Sequence, residues 1–445
     1  MVVAVALFLA GAPAADGAFA PLLTWGAGGP NAGLFNIPDG VAVDSAGHVY
    51  VADRLNNRIQ KFTAAGRFLD LWGGPAGAAD RQFNAPYGVA VDGLGHVYVA
   101  DTQNNRIQKL SSTGRFLAKW GHNGGDGTPG VGNGEFTDPR GVAVDDAGNV
   151  YVADHGNNRV QKLSPTGRFL ARWGANGGDG TAGSGNGEFR IPRGIAVDHA
   201  GHVYVADKGN HRIQELSATG RFMRRWGAHG GDGTPGAGDG EFNLPYNIAL
   251  DGAGDLYVTD VLNHRIQKFS PTGRFLAKYG HNGGDGSPGA GPGEFDEPYG
   301  IAADCRFNMY ISEEGNQRIQ KLGVAGLPAP RCPPAATVRV RSAQRALAAR
   351  GLVASVACDR PCTARVSASI AGVGLGARAV AATSRARIVM PGARERVRVA
   401  LSAADARVLG RALRAGVQLR ARVTVRATGL AGRARTVRLS VRIAR

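Results

Sequence analysis

The chain has 445 residues, of which 43% are hydrophobic and 20% are charged, and its formal net charge is +17. This length allows two or more domains. Residues 331–445 contain 24 arginines, no lysine and three acidic residues, whereas the rest of the chain is slightly acidic. The basic character therefore belongs to the C-terminal region. The one strongly apolar run is too short to cross a membrane, so the sequence predicts no transmembrane segment.

The first 15 residues have features of a secretory signal peptide. Residues 2–10 form the apolar run, and residues 12–14, Ala-Pro-Ala, provide a small-x-small cleavage site. Basic residues before the run are missing. We therefore expect a signal peptide over residues 1–15 and a secreted, extracellular protein.

One phrase, GVAVDSAGHVYVADRLNNRIQKF at residues 40–62, recurs along the chain. Five further copies begin at Gly88, Gly141, Gly194, Asn247 and Gly300. The first two copies are 48 residues apart and the later ones 53 residues apart. A fixed period of this length is typical of propellers, solenoids and arrays.

Each copy contains apolar residues that alternate with small or polar ones, and turn residues separate the runs. This pattern predicts a four-stranded antiparallel meander. The sixth copy lacks its own fourth strand, and residues 22–26, Leu-Leu-Thr-Trp-Gly, match the missing segment. We therefore predict an all-β, six-bladed β-propeller over residues 22–322, whose last blade is closed by the N-terminal strand.

The shared turn, Asp and Asn-x-Arg positions resemble the NHL repeat, and the whole ring resembles a six-bladed NHL β-propeller. The resemblance implies the fold more firmly than a function, because propellers perform many unrelated tasks. Some NHL propellers bind RNA. Some NHL-propeller enzymes use Tyr and Arg near a metal that His holds at the channel.

The region after the ring has a different pattern. Residues 323–336 form a linker rich in Pro, Gly and Ala, and residues 337–445 contain about seven runs of alternating apolar and polar residues. These runs predict half-buried antiparallel strands, with a short helix over residues 402–413. We interpret residues 337–445 as a small Arg-rich β-sandwich, which loosely resembles the immunoglobulin-like modules of exported bacterial proteins.

The four cysteines fall into two local pairs. In an exported protein they are expected to form the disulfides Cys305–Cys332 and Cys358–Cys362. A zinc site is the alternative, although the spacings do not fit a zinc knuckle.

Two repeated sets of polar residues have structural interpretations. Asp53 and Arg58, with their counterparts, are expected to pair across the second and third strands, because six similar copies indicate a scaffold. Four connecting loops share a GGDG motif and a later GEF motif. Their acidic residues could contribute to calcium sites, but Gly-rich turns are the simpler interpretation. These residues are Asp126, Asp179, Asp232, Asp285, Glu135, Glu188, Glu241 and Glu294.

One position in each repeat varies while its neighbours do not, and it lies between the turn proline and the start of the phrase. It holds Asp39, Tyr87, Arg140, Arg193, Tyr246 and Tyr299. These residues should ring the mouth of the central channel. The variable residues of the second-to-third-strand loops should lie beside them: Arg54, Gln103, His155, Lys208, Leu262 and Glu314.

Arginines at such a mouth could bind a carboxylate, sulfate or phosphate through paired hydrogen bonds, and tyrosines could stack on a sugar or base. We predict a ligand-binding rim of Asp39, Tyr87, Arg140, Arg193, Tyr246, Tyr299, His155 and Lys208. A variable surface that binds nothing is the alternative interpretation.

These patterns predict a non-catalytic extracellular binding scaffold, with no catalytic residue and no cofactor assigned; calcium and zinc remain alternatives. The expected partner is a protein, a glycan or an anionic cell-surface polymer, and the basic tail would attach to an anionic surface. Two other functions stay open. One is a metal-assisted lyase or hydrolase with His155 as a ligand, although zinc needs three or four ligands. The other is nucleic-acid binding through the tail, which lacks aromatic residues for base stacking.

Overall fold

The computed structural model describes residues 19–304 and 306–324, together with the backbone of nine strands between residues 336 and 443. Within residues 19–324 the chain forms six four-stranded antiparallel sheets. Each sheet is one blade of a propeller, and its first strand is innermost. The innermost strands follow one another around the ring and the last one contacts the first. The predicted six-bladed propeller is therefore confirmed.

The strands of the six blades are numbered in chain order. Blade 1 contains β2 (Pro38–Val43), β3 (Val49–Asp53), β4 (Arg58–Phe62) and β5 (Phe68–Gly73). Blade 2 contains β6 (Pro86–Val91), β7 (Val97–Asp101), β8 (Arg106–Leu110) and β9 (Phe116–Gly121). Blade 3 contains β10 (Pro139–Val144), β11 (Val150–Asp154), β12 (Arg159–Leu163) and β13 (Phe169–Trp173). Blade 4 contains β14 (Ile195–Val197), β15 (Val203–Asp207), β16 (Arg212–Leu216) and β17 (Phe222–Trp226). Blade 5 contains β18 (Pro245–Leu250), β19 (Leu256–Asp260), β20 (Arg265–Phe269) and β21 (Phe275–Gly280). Blade 6 contains β22 (Pro298–Ala303), β23 (Met309–Glu313), β24 (Arg318–Val324) and β1 (Phe19–Trp25).

The turns within a blade follow from short polar residues. In blade 1, Asp44 accepts hydrogen bonds from the backbone N–H groups of Ala46 and His48, which fixes the first hairpin. A 3₁₀ turn joins the second and third strands, and Asn57 ends it in the left-handed conformation, which Asn tolerates well. Comparable 3₁₀ turns follow the second strand in blades 2 to 5 and open the GGDG loops. The nine 3₁₀ turns within the described residues are Arg54–Asn56, Thr102–Asn104, His122–Gly124, His155–Asn157, Ala175–Gly177, Lys208–Asn210, Ala228–Gly230, Val261–Asn263 and His281–Gly283.

The ring is closed by the N-terminal strand, as predicted. Strand β1 pairs antiparallel with β24, with Phe19 opposite Val324 and Trp25 opposite Ile319. The strand begins at Phe19, earlier than the predicted boundary at residue 22. Trp25 also covers Gly66 of blade 1, where an added Cβ would lie 2.9 Å from the indole.

The core lies between the blades rather than within a single sheet. The described residues form six hydrophobic clusters, one at each junction between neighbouring blades. The junction of blade 6 with blade 1 contains Trp25, Phe62 and Tyr310, and the Trp25 ring lies 6.0 Å from Phe62 and 6.3 Å from Tyr310. Each blade therefore buries both faces only because it has two neighbours.

The innermost strands approach one another very closely at the first glycine of the phrase. A Cβ on Gly88 would lie 2.1 Å from the carbonyl oxygen of Arg140, and a Cβ on Gly141 would lie equally close to that of Arg193. Only glycine permits this approach. The side chains at the preceding, variable position are consequently brought together around the channel mouth.

The nine C-terminal strands are described by their backbone. They are β25 (Ala336–Val340), β26 (Ala343–Gln344), β27 (Gly351–Cys358), β28 (Cys362–Gly372), β29 (Val380–Thr383), β30 (Arg387–Val389), β31 (Arg394–Ala400), β32 (Leu419–Gly429) and β33 (Ala434–Ile443). Strands β25, β27 and β31 form one sheet, and the others pair in a second sheet. The predicted helix at residues 402–413, the predicted signal peptide and the side chains of the four cysteines lie outside the described residues. Among the residues that are described, no helix has the length and apolarity needed to cross a membrane.

Candidate functional site

A buried polar network is repeated at the end of the second strand in every blade. In blade 3, the Asp154 carboxylate accepts hydrogen bonds from Asn157 Nδ2 (3.0 Å), Arg159 Nε (2.7 Å), Gln161 Nε2 (3.0 Å) and the N–H of Thr137 (2.8 Å). Asp154 and Arg159 are both fully buried. The expected acid–arginine pair across the strands is therefore present. Its counterparts are Asp53–Arg58, Asp101–Arg106, Asp207–Arg212, Asp260–Arg265 and Glu313–Arg318.

The arginine of each network also holds the loop that enters its own blade. The two Nη atoms of Arg159 donate to the carbonyl oxygens of Val131 (2.6 Å), Gly132 (2.8 Å) and Glu135 (3.1 Å). Gln161 Nε2 donates to the same Glu135 carbonyl at 2.6 Å. These bonds supply partners for loop carbonyls that would otherwise be poorly solvated. The network therefore belongs to the scaffold.

The acidic residues of the GGDG and GEF motifs are used within their own loops. Asp126 Oδ1 accepts hydrogen bonds from the N–H (2.9 Å) and Oγ1 (2.7 Å) of Thr128. Glu135 accepts from the N–H of Gly132 at 2.9 Å and lies 3.1 Å from His122 Nδ1. Within residues 19–304 and 306–324, no three His, Cys, Asp or Glu side chains are grouped in a way that could hold a metal ion. The contacts of Asp126 are those of an Asx-type turn, and Glu135 contacts its own loop.

The six variable positions converge at one end of the central channel. The channel has a cavity of about 230 Å³, lined by the innermost strands of all six blades. Asp39, Tyr87, Arg140, Arg193 and Tyr246 are part of this lining. We call these five residues, together with Tyr299, Arg54, His155, Lys208 and Glu314, the mouth cluster. Gln103 and Leu262 are exposed and stay outside it.

Tyr87 lies at the centre of three guanidinium groups. The Cζ atoms of Arg54, Arg140 and Arg193 lie 4.8, 4.5 and 4.9 Å from the centroid of its ring. Arg54 Nη1 also donates to the Tyr87 hydroxyl at 2.9 Å. Such positions allow cation–π attraction, which offsets part of the repulsion among the three arginines. The three cations come from blades 1, 3 and 4.

A second group of contacts surrounds Arg193. Its Cζ lies 3.5 Å from the centroid of the Tyr246 ring, which in turn stacks on Tyr299 at 4.1 Å. The Tyr246 hydroxyl donates to Asp39 Oδ2 at 2.8 Å across the channel. Arg193 Nη2 is 3.7 Å from the same oxygen of Asp39. Asp39, Arg193 and Tyr246 are all more than 90% buried.

Positive charge exceeds negative charge in the mouth cluster, although Asp138 beside it pairs with Arg140 at 2.7 Å. Arg54 lies 3.8 Å from Glu314 and 3.9 Å from Asp39, so the Asp39 carboxylate is shared between Arg54 and Arg193. Lys208 also faces Asp39, and its Nζ lies 5.7 Å from the Tyr246 ring centroid. Burial, and next the Arg193 charge, lower the pKa of Lys208 to about 8.

The pKa shifts of Asp39 and His155 show that the mouth cluster is poorly accessible to solvent. Burial raises the pKa of Asp39 above its usual value, although Arg193 opposes the shift. Burial, together with Arg140 and Arg193, lowers the pKa of His155 to about 3. His155 is therefore neutral near pH 7, with Nδ1 3.2 Å from the carbonyl oxygen of Pro192 and Nε2 3.7 Å from Asp138 Oδ2.

Two arginine nitrogens of the mouth cluster are buried without a hydrogen-bond partner among the described residues, namely Nε of Arg54 and Nε of Arg193. Buried donors nearly always have a partner, and leaving one unpaired is costly. The sequence predicted that Arg193 lies at the mouth. It gave no signal that this arginine is buried, because its contacts come from blades 1, 2, 5 and 6.

Comparisons with known proteins agree with this architecture. The NHL repeat family model matches residues 35–62, 83–110, 136–163, 189–216 and 242–269. Among solved structures, a structural genomics protein of unknown function from Bacteroides thetaiotaomicron superposes with a TM-score of 0.52. It is 15% identical, and the match covers 69% of this chain and 76% of that chain. This similarity shows the fold alone.

One of two relatives is named for its repeats and the other for an enzyme activity. The chain is 33% identical to NHL repeat-containing protein 3 of Mus musculus over 192 residues, which cover 40% of this chain and 50% of that protein. It is 30% identical to peptidyl-glycine alpha-amidating monooxygenase B of Xenopus laevis over 190 residues, which cover 32% of this chain and 22% of that protein. The chain thus spans half or less of the length of these relatives. The family model matches five of the six blades, so residues 19–324 form a six-bladed β-propeller that contains NHL repeats.

Proposed function

We propose that this protein is a binding scaffold and that its mouth cluster takes up an anionic ligand. The observation that carries the proposal is Arg193, a guanidinium that is 6% exposed and whose Nε has no hydrogen-bond partner among the described residues. A buried cation that shares a carboxylate with other cations, as Arg193 shares Asp39, is unfavourable for stability alone. An anion at the channel mouth would supply the missing charge and hydrogen-bond acceptors.

The chemistry of the cluster favours a small, oxygen-rich anion. A carboxylate, sulfate or phosphate group can accept two parallel hydrogen bonds from one guanidinium. The tyrosines provide flat faces beside the arginines, so a ligand with a ring or a planar group would gain further contacts. A cavity of about 230 Å³ suits a small molecule or one end of a larger one.

The experiment is a calorimetric titration of the full chain with sulfate, phosphate and glycolate at low ionic strength. We expect at least one of these anions to bind, and Arg193→Gln to weaken its binding by about tenfold or more, since one charge-assisted pair contributes about 1.5–3 kcal/mol. Arg115→Gln is the matched control. It makes the same change at an exposed arginine in a third-to-fourth-strand turn at the opposite end of the blade.

The control variant should bind like the wild-type chain. The proposal is overturned if the wild-type chain binds none of the three anions at millimolar concentration. It is also overturned if Arg193→Gln and Arg115→Gln behave alike.

We also propose that the protein is exported and meets its partner outside the cell. An exported protein would meet a protein, glycan or anionic surface polymer, and the Arg-rich C-terminal region would be attracted to such a surface. Binding of that region to anionic vesicles should then weaken steeply with added salt. Binding of that region to a nucleic acid would also weaken with added salt, with a slope set by the number of phosphates contacted.

A metal-assisted enzyme is the second candidate, because one relative is named a monooxygenase. The residue nearest to this role is His155, whose Nε2 is 3.7 Å from Asp138. Zinc in a catalytic site takes three protein ligands, and these two side chains supply two. Elemental analysis of protein purified without added metal separates the candidates, because stoichiometric zinc would favour the enzyme.

A further inference from the structure

Lys208 occupies an unusual place in the mouth cluster. It is the first residue of the 3₁₀ turn that follows β15, on the same end of the propeller as the channel mouth. Its Nζ lies 5.7 Å from the centroid of the Tyr246 ring, and the Arg193 guanidinium carbon lies 3.5 Å from that centroid. A primary amine and a guanidinium are therefore placed around one buried aromatic ring.

The surroundings of Lys208 disfavour its charged form. The side chain is half-buried, and Arg193 and Arg140 repel its positive charge, while Asp39 attracts it. With the pKa of Lys208 lowered to about 8, the free-amine fraction near pH 7.4 is on the order of a hundredfold larger than for an ordinary lysine. Desolvation next to other cations is a known way to make a lysine nucleophilic.

We propose that Lys208 is a nucleophilic amine and that the channel mouth takes up small oxo-carboxylates, which form a Schiff base with its Nζ. The inference rests on the proposed anion site, because Arg193 would hold the carboxylate of the same molecule. The amine nitrogen attacks the carbonyl carbon and gives a carbinolamine. Loss of water then forms the C=N bond, so one water is released and no oxidant or reductant is needed.

Two features of the site favour an oxo-carboxylate over a carbonyl compound that has no carboxylate group. A carboxylate beside Arg193 neutralises part of the positive charge that a protonated imine would otherwise add to the cluster. In a 2-oxo-carboxylate the carbonyl and carboxylate carbons are directly bonded. One molecule therefore carries both the group that an amine attacks and the group that a guanidinium binds, and Lys208 and Arg193 both face the Tyr246 ring.

The other lysines that face a tyrosine provide an internal comparison. Lys162 Nζ lies 4.8 Å from the Tyr151 ring centroid, within the outer part of blade 3. Its setting combines a lysine with a tyrosine but lacks the partners that Lys208 has at the channel mouth. Lys162→Arg is therefore a matched control for Lys208→Arg. Each change keeps the positive charge and removes the primary amine.

The test uses the full chain, glyoxylate as the carbonyl probe and sodium cyanoborohydride to reduce any imine to a stable amine. Intact-mass and peptide mass spectrometry then locate the modification. We expect labelling of Lys208 to exceed that of any other lysine by about tenfold or more, because its free-amine fraction is larger. Lys208→Arg should lose this label, and Lys162→Arg should keep it.

Glycolate, which has the carboxylate without the carbonyl, separates the inference from the proposal on which it rests. If the wild-type chain binds glycolate but glyoxylate does not label Lys208 preferentially, the Schiff-base inference is wrong and the anion site stands. If the chain binds no anion and glyoxylate labels lysines evenly, both are wrong. Retention of the dominant label in Lys208→Arg would also overturn the inference.

Discussion

Arg159 and Arg193 are both buried arginines, but their surroundings differ in kind. Arg159 donates to the Asp154 carboxylate and to loop carbonyls, and the same arrangement occurs in all six blades. Arg193 stacks on Tyr246, lies 3.7 Å from a shared Asp39 oxygen, and leaves its Nε without a partner among the described residues. The difference indicates that satisfied, repeated polar networks build the propeller, and we propose that the asymmetric cluster takes up a ligand.

The largest expected effect is on a repeated network. Asp101→Ala removes the acceptor for Arg106 Nε, Gln108 Nε2 and the Asn84 N–H, and leaves a buried cation uncompensated. We expect a loss of about 3–5 kcal/mol in the free energy of unfolding. Urea unfolding followed by tryptophan fluorescence measures it, because all five tryptophans lie between residues 25 and 226.

The matched control for this change is Asp80→Ala in a loop next to the same blade. The Asp80 side chain is 51% exposed and pairs with Lys119 at 3.0 Å. An exposed pair contributes about 0–1 kcal/mol, so this variant should unfold close to the wild-type midpoint. Equal effects of the two substitutions would contradict the scaffold role of the network.

The sequence predicted the repeated networks better than the mouth cluster, and the physical reason is clear. Asp101 and Arg106 belong to one repeat, and their register follows from strand pairing within a blade. The closing strand was also predictable, because Trp25 has the place in the repeat that Trp120 has in blade 2. The hydrogen bond from Tyr246 to Asp39 joins residues 207 positions apart, and no spacing rule relates such residues.

Ring closure gives the next largest expected effect. Trp25 packs on Phe62 and Tyr310 and covers Gly66, so Trp25→Ala removes much of the contact between blades 6 and 1. We expect a loss of about 2–4 kcal/mol in the free energy of unfolding. Leu22→Ala in the same strand is the control, because Leu22 is 48% exposed and should change stability by less than about 0.5–1 kcal/mol.

Closure by β1 would be contradicted if Trp25→Ala and Leu22→Ala unfolded at the same urea concentration.

A smaller effect concerns the pH dependence of stability at the mouth cluster. The pKa of His155 is lowered to about 3 in the folded chain, so between pH 6.5 and pH 3 the unfolded chain binds a proton that the folded chain does not. This difference destabilises the folded chain as the pH falls through that window. Between pH 7 and pH 5 the contribution is about 2 kcal/mol. Over the same pH interval, His155→Gln should therefore lose about 2 kcal/mol less stability than the wild-type chain.

The control for the pH experiment is His199→Gln, whose side chain is 89% exposed and lies 2.9 Å from Asp146. An exposed pair contributes about 0–1 kcal/mol, so the stability of this variant should follow the wild-type pH profile closely. If His155→Gln also follows the wild-type profile, His155 is not in a buried environment next to Arg140 and Arg193.

The most direct test of the difference between scaffold and site compares Arg159→Met and Arg193→Met in urea, with and without sulfate. We expect Arg159→Met to lose about 3–5 kcal/mol, because Asp154 is left buried and unpaired. Arg193→Met should unfold within about 1 kcal/mol of the wild-type chain. Sulfate at a hundred times its wild-type dissociation constant should stabilise the wild-type chain by about 2.7 kcal/mol, and it should stabilise Arg193→Met, which binds about tenfold or more weakly, by about 1.4 kcal/mol or less. The distinction between a structural Arg159 and a ligand-binding Arg193 is contradicted if Arg193→Met is as unstable as Arg159→Met, or if Arg193→Met keeps the full stabilisation by sulfate.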